Sequence, residues 1–283
     1  MGLNITGRRQ DGYHDLHSVM EQLSLSDYLL LQPQRERGWR FFCSEPALSG
    51  KDNLVYRVAA YLSKISKGRE LPGVRISLYK SIPRAAGLGG GSSDAAAALK
   101  GLNSFWDLKL SFEELMEIGT ILGSDVPYCL QGGTALARGR GEKLEPLPAL
   151  PFHWVVLALP LGMHLSTAEV YGALKPAHLG SPRLGTLITA IRDQNRELLH
   201  EWFAGGMTNT LEVVAMSKHP RLQLLKEQFI HTDLYPAMSG SGPSFFALCK
   251  NFFTARAAAS ALHEAGHRVF LCWTLSDLSK QKE

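Results

Sequence analysis

The sequence predicts an α+β protein of two domains, on three observations. Strand-like and helix-like segments alternate through the first half. A proline-rich stretch, Pro146-Leu-Pro-Ala-Leu-Pro151, interrupts the chain near its middle. Beyond it a strand, several helices and a strand–helix–strand pattern with tight turns complete the chain. A boundary at 150 gives domains 1–150 and 151–283, each of ordinary size.

Tyr28–Gln32 and Trp39–Cys43 are predicted strands around a polar loop. From Asn53 to Lys64, Leu54, Val58, Tyr61 and Leu62 recur at helical spacing. Val74–Leu78 alternates apolar and polar residues, as a half-buried strand does. After a glycine-rich loop, Ser93 to Leu102 is an alanine-rich helix. Ser111-Phe-Glu-Glu114 fits a capping box opening a helix that runs to Leu122. In the second half Trp154–Leu159, Phe245–Cys249 and Val269–Trp273 are predicted strands. Ala255–Ala265 is a predicted helix stopped by Gly266.

Composition narrows the function classes. Hydrophobic residues at 45% and charged ones at 20% exclude a disordered chain. No apolar run is long enough to span a bilayer. The opening residues, with Asn4, Arg8, Arg9 and Asp11, lack the apolar core of a leader, so a cytoplasmic protein is expected. Cys43, Cys129, Cys249 and Cys272 show no metal spacing and are expected as free thiols in a reducing compartment. A net charge of +4, with scattered basic residues, argues against nucleic-acid binding and fits an enzyme of anionic metabolites.

The strongest chemical signal is Pro83-Arg-Ala-Ala-Gly-Leu-Gly-Gly-Gly-Ser-Ser-Asp-Ala-Ala96. Its four glycines let the backbone curl with N–H groups pointing inward. The following helix adds free N–H groups and the positive end of its dipole, and Ser92 and Ser93 add hydroxyls. A triphosphate needs such a cradle. No Lys-Ser/Thr follows the last glycine and GxGxxG is absent, so the loop is neither a Walker A nor a dinucleotide fingerprint. Gly123-Ser-Asp-Val-Pro127 is the second signal. There Asp125 either faces a cleft or bonds to local backbone. Gly132 to Glu142 forms a glycine-rich continuation. Ser239-Gly-Ser-Gly-Pro-Ser244 is the third, a tight turn before a strand.

In this order the three signals resemble the motifs of the GHMP kinases, whose glycine-rich motif has the same PxxxGLGGGSS form. Gly2 to Leu16, with Asp11-Gly-Tyr-His14, resembles the branch of that superfamily that acts on a cytidyl diphosphate methylerythritol. Asp52-Asn-Leu54 and Lys80-Ser-Ile-Pro83 also fit it. The resemblance covers nearly the whole chain, more specifically in its first 145 residues and more loosely between Pro176 and Leu234.

The resemblance implies a two-domain GHMP kinase fold, with an N-terminal domain like domain 2 of ribosomal protein S5 and a C-terminal α/β sandwich. It implies transfer of the ATP γ-phosphoryl group, with Mg²⁺, to the 2-hydroxyl of the methylerythritol moiety, in the non-mevalonate route to isoprenoid precursors. The implied nucleotide site is Pro83, Arg84, Ala85, Ala86, Gly87, Leu88, Gly89, Gly90, Gly91, Ser92 and Ser93, with Asn53 and Lys80 bordering the adenine. Asp125 matches the proton acceptor. Tyr13 and His14 match residues that hold the cytosine, with Thr167 and Tyr171 on the opposite wall. No protein metal ligand is assigned. The expected partner is the small-molecule substrate, with neither nucleic acid nor membrane, and the protein is expected as monomer or homodimer.

There is one departure. In register, Met1 falls on the leucine of the family's first motif, Ala-Lys-Ile-Asn-Leu, so that motif's lysine has no counterpart here. The expectation is an upstream segment carrying it, and slow turnover by residues 1–283 alone. The alternatives are another GHMP kinase, for mevalonate or homoserine, and a catalytically impaired nucleotide-binding protein.

Overall fold

The structure is a computed structural model that describes residues 1–66, 68–180, 184–205 and 209–275. In chain order its first elements are β1 (Gly2–Arg8), β2 (His14–Met20), β3 (Tyr28–Pro33), β4 (Trp39–Cys43), α1 (Leu54–Ile65), β5 (Val74–Tyr79), α2 (Gly90–Phe105), α3 (Phe112–Leu122) and α4 (Val126–Gln131). Then come β6 (Ala135–Gly139), β7 (Lys143–Pro146), β8 (Trp154–Pro160), α5 (Thr167–Gly172), α6 (Gly185–Arg192) and α7 (Arg196–Ala204). The last are α8 (Thr210–Lys218), α9 (Pro220–Ile230), β9 (Ala237–Met238), β10 (Phe245–Cys249), α10 (Phe252–Glu264) and β11 (His267–Trp273).

These elements form two compact units, and neither is a continuous half of the chain. One comprises Met1–Leu25, Ala85–Leu88 and the chain from Gly132 on; the other comprises Ser26–Arg84 and Gly89–Gln131. This division differs from the boundary expected at 150. The reason is strand pairing: β2 pairs antiparallel with both β1 and β6, which ties the first residues to the later chain.

The discontinuous middle unit, from Ser26, is built on a three-stranded sheet of order β3-β5-β4, antiparallel on one side of β5 and parallel on the other. Helices α1 and α2 share its core, and α3 packs against both helices. Val55, Val58 and Leu62 of α1, Ile76 and Leu78 of β5, and Leu99 and Leu102 of α2 are fully buried together. Burying each such side chain stabilises by about 1.5–3 kcal/mol relative to exposure. The helix ends are those the sequence signals. Asn53 caps α1 by accepting from the Val55 N–H, and Ser111 and Glu114 form the reciprocal capping box of α3.

The other unit holds two four-stranded sheets, β1-β2-β6-β7 and β11-β8-β10-β9. Every pairing in both is antiparallel. Leu3 and Ile5 of β1 share a core with Val156, Phe245, Leu211 of α8 and Phe229 of α9. Among the described residues no helix is long and apolar enough to cross a membrane. Cys43, Cys249 and Cys272 are buried free thiols, and Cys129 is a half-buried one.

Candidate active site

In the unit from Ser26, the glycine loop runs into α2, which starts at Gly90, three residues earlier than its alanine-rich composition suggests. Gly89 stands at the cap in the left-handed region, φ +66°, and no side chain caps this helix start. A Cβ built on Gly89 meets nothing within 4 Å. The space beside Gly89 at this helix start is therefore open, as an anion requires. Gly90 differs: its Cβ would come 2.9 Å from Ile82 Cγ2, so this glycine serves packing.

Beneath this helix start lies a buried ionic cluster. The Lys80 ammonium pairs with Asp27, and also with Asp94 at 2.6 Å; the three side chains are 4%, 4% and 6% exposed. Asp27 Oδ1 also accepts the N–H groups of Ser81 and Ile82, fixing the chain as it enters the loop. Burial works against the Lys80 charge, but the bonds from Asp27 and Asp94 outweigh it and hold its pKa above the ordinary lysine value. Burial pushes the Asp94 carboxyl up to about 7, against the pull of Lys80 and helped by the Asp27 carboxylate. The Lys80 ammonium is thus engaged with protein. So is the Asn53 amide, which donates to Leu48 O and accepts from Val55 N. Arg84 lies loosely beside Glu45, at 3.7 Å.

Asp125 directly precedes α4, and its carbonyl accepts the Cys129 N–H. The local-backbone alternative is met by this carbonyl, while the carboxylate forms no hydrogen bond or ion pair among the described residues. Asp125 keeps an open side to solvent, yet the protein crowded around it raises its carboxyl above the ordinary aspartate range. A carboxylate free of counter-charge and raised in this way is suited to accepting a proton.

In the other unit, Ala85–Leu88 carry the first half of the loop. Gly87, φ +71°, is held against the Ser239–Gly242 turn so closely that a Cβ would lie 2.1 Å from Ser239 O. The Ser239 hydroxyl donates to Gly87 O at 2.8 Å. The residues matched to the cytosine also meet in this unit. The rings of His14 and Tyr171 are 5.4 Å apart, and the Arg140 guanidinium lies over the Tyr13 ring at 4.7 Å. Arg9 reaches both Asp11 and Asp15, and Asp11 accepts the Tyr13 N–H, which fixes the turn that carries Tyr13. Burial, then Arg8, lowers the His14 pKa and favours its neutral ring. Thr167, on the same face of α5 as Tyr171, shares a hydroxyl–hydroxyl bond of 2.9 Å with Ser241.

Sequence reasoning passed over Asp27, Asp94 and Arg140 as site residues. Arg140 had a signal, since it sits between Gly139 and Gly141, both at positive φ, in a turn where Glu142 accepts its N–H. Asp94 lies within the glycine-rich motif, but its pairing with Lys80, like that of Asp27, arises only through the fold.

Comparison with known proteins shows the family. The sequence models described as GHMP kinases N terminal domain and GHMP kinases C terminal match residues 53–133 and 187–268. A 4-diphosphocytidyl-2-C-methyl-D-erythritol kinase of Exiguobacterium sibiricum is 41% identical over 277 residues, 97% of this chain and 94% of its own. That of Enterococcus faecalis is 39% identical over 281 residues, 97% of this chain and 95% of its own. A solved structure of 4-(cytidine 5'-diphospho)-2C-methyl-D-erythritol kinase matches at a TM-score of 0.81 and 35% identity, over 98% of this chain and 96% of its own. Homoserine kinase from Cytophaga hutchinsonii shares the fold, with a TM-score of 0.68 at 19% identity over 93% of this chain and 89% of its own. The α+β, two-domain expectation agrees with these matches, and the chain belongs to the GHMP kinases, within the group of the 4-diphosphocytidyl-2-C-methyl-D-erythritol kinases.

Proposed function

We propose that this kinase transfers the γ-phosphoryl group of ATP to the 2-hydroxyl of 4-diphosphocytidyl-2-C-methyl-D-erythritol, a step in isoprenoid precursor synthesis. The observation that carries the substrate is the ring contact between His14 and Tyr171, far apart in sequence, with the neighbouring Tyr13 ring lying under the Arg140 guanidinium. A pyrimidine takes stacking from tyrosine rings and hydrogen bonds from a neutral imidazole, and a guanidinium suits a neighbouring diphosphate.

On this reading the N–H groups of the helix start ahead of Ser93 hold phosphate oxygens, and Asp125 accepts the proton of the attacking hydroxyl. Lys80 and Asn53 border the adenine while their polar atoms stay bonded to protein. Among the described residues no group of three His, Cys, Asp or Glu is placed to hold a metal. Mg²⁺ is proposed to be held chiefly by the nucleotide's phosphates and water, which it usually prefers to an all-protein cage. When bound, the ion neutralises charge on the transferring group. The family domains are proposed to divide near 150, between the stretches matched by the two sequence models. A cytoplasmic monomer or homodimer completes the proposal, supported by the four free thiols.

The test is ADP release in the presence of the cytidyl substrate, mevalonate or homoserine. Release with the cytidyl substrate alone is expected. Faster release with either of the others overturns the substrate assignment.

A further inference from the structure

One turn in the unit that contains β1 touches a piece of each proposed substrate site. On one side, the Ser239 hydroxyl donates to Gly87 O in the nucleotide loop, and Gly87 has no room for a Cβ against Ser239 O. On the other side, the Ser241 hydroxyl is bonded to Thr167. The turn is closed by Gly242 N–H to Ser239 O and by Ser239 N–H to Ser244 O.

What holds the turn comes from α8, in the stretch where the resemblance is loosest. The Asn209 amide donates to Met238 O at 2.7 Å and to Gly240 O at 2.8 Å, while its oxygen accepts the Leu211 N–H and caps α8. Glu212, one turn on, accepts the Met238 N–H at 2.9 Å and is paired with Lys226. Asn209 and Glu212 are 7% and 4% exposed. The start of α8 is itself fixed to β1: the Thr210 hydroxyl accepts the Ile5 N–H, and Asn209 bridges Leu3. Capping the helix needs only the Asn209 oxygen. The two donors of the amide serve the turn, so Asn209 does more than start a helix.

We propose that Asn209, with Glu212 behind it, is a positioning residue that sets Gly87 of the nucleotide loop and Thr167 on the acceptor side through the shared turn Ser239–Gly242. The inference rests on the proposed function for its two substrates. It assigns the donor arm to Ser239, the acceptor arm to Ser241, and both arms to Asn209.

The test uses the full chain and three variants. Asn209→Ser keeps a good helix cap but removes both donors. It is expected to lower kcat/KM for ATP and for the cytidyl substrate together, by roughly tenfold to a hundredfold, the scale of a small misplacement of reacting groups. Ser239→Ala is expected to raise the KM for ATP several-fold and leave that for the cytidyl substrate unchanged; Ser241→Ala is expected to do the reverse. A folded Asn209→Ser protein with both constants unchanged overturns the proposal. A Ser239→Ala effect confined to the cytidyl substrate overturns it too. If Asn209→Ser does not fold, the opposite splits of the two serine variants decide. If the wild-type chain does not turn over the cytidyl substrate, the functional reading fails on its own. Titration with a non-hydrolysable ATP analogue then reads the donor arm, where weaker binding by Asn209→Ser and Ser239→Ala supports the inference and unchanged binding refutes it.

Discussion

Asp125 and Tyr171 test the site at the scale of single residues. Asp125 has no ion pair among the described residues, and the protein around it raises its pKa, so its value to a kinase is as a proton acceptor. Asp125→Asn keeps its shape and is predicted to lower kcat by about 10²–10⁴, with ATP and acceptor affinities changed only a few-fold. Near-normal turnover would remove it from the chemistry. Tyr171 meets His14 ring to ring, and stacking of a base on an aromatic ring is worth about 1–3 kcal/mol. Tyr171→Ala is therefore predicted to raise the KM for the cytidyl substrate roughly tenfold and leave that for ATP nearly unchanged. Equal effects on both would show a role in packing alone. None of these pairings was legible along the chain. Tyr13 and His14 stand out only through the family resemblance, and Arg140 meets Tyr13 only because the β6–β7 turn brings it there.

Among the elements, legibility followed local chemistry. The capping box at Ser111, the Asn53 cap and the periodic α1 lie where their side chains predict, because each is fixed by neighbours a few residues away. Strands β1 and β2 were not legible as strands. His14 to Met20 mixes polar and apolar residues, and only Val19 is buried. The second partner of β2, β6, is more than a hundred residues distant, and nothing local announces it. The glycine loop was legible as a cradle but not in its division of labour: Gly87 admits a close backbone approach, Gly90 packs on Ile82, and Gly89 faces open space. This makes Gly89 the cleaner probe. Gly89→Val forces a β-branched residue to φ +66°, a strain of about 1–3 kcal/mol, and fills the space a phosphate would use. Loss of ATP-analogue binding in a folded variant is predicted from titration calorimetry. Unchanged affinity would remove the loop from nucleotide binding.

At the scale of the whole molecule, the sequence carried the fold class and the family, but not which segments pack with which. The proline-rich stretch is real as composition, yet β1 and β2 belong with the later strands by pairing. Buried charge also has a consequence at this scale. Burial raises Asp94 from its ordinary 3.8 to about 7, so between those values the folded state keeps a proton that the unfolded chain has lost. Stability is then highest at the acid end of that window, falls as pH rises through it, and levels off above about 7. Glu21, raised from 4.5 to about 7 by burial, adds to the same slope. Asp94→Asn is predicted to flatten the pH dependence of urea unfolding across this window without abolishing it. An unchanged slope would mean that folded Asp94 keeps no proton across this window. The substrate assignment is tested most directly by phosphorus NMR of the product formed from ATP and 4-diphosphocytidyl-2-C-methyl-D-erythritol. A new monophosphate ester at the 2-hydroxyl, with the cytidyl diphosphate intact, is the predicted result. ADP and inorganic phosphate without that ester, or phosphate on another hydroxyl, would contradict it.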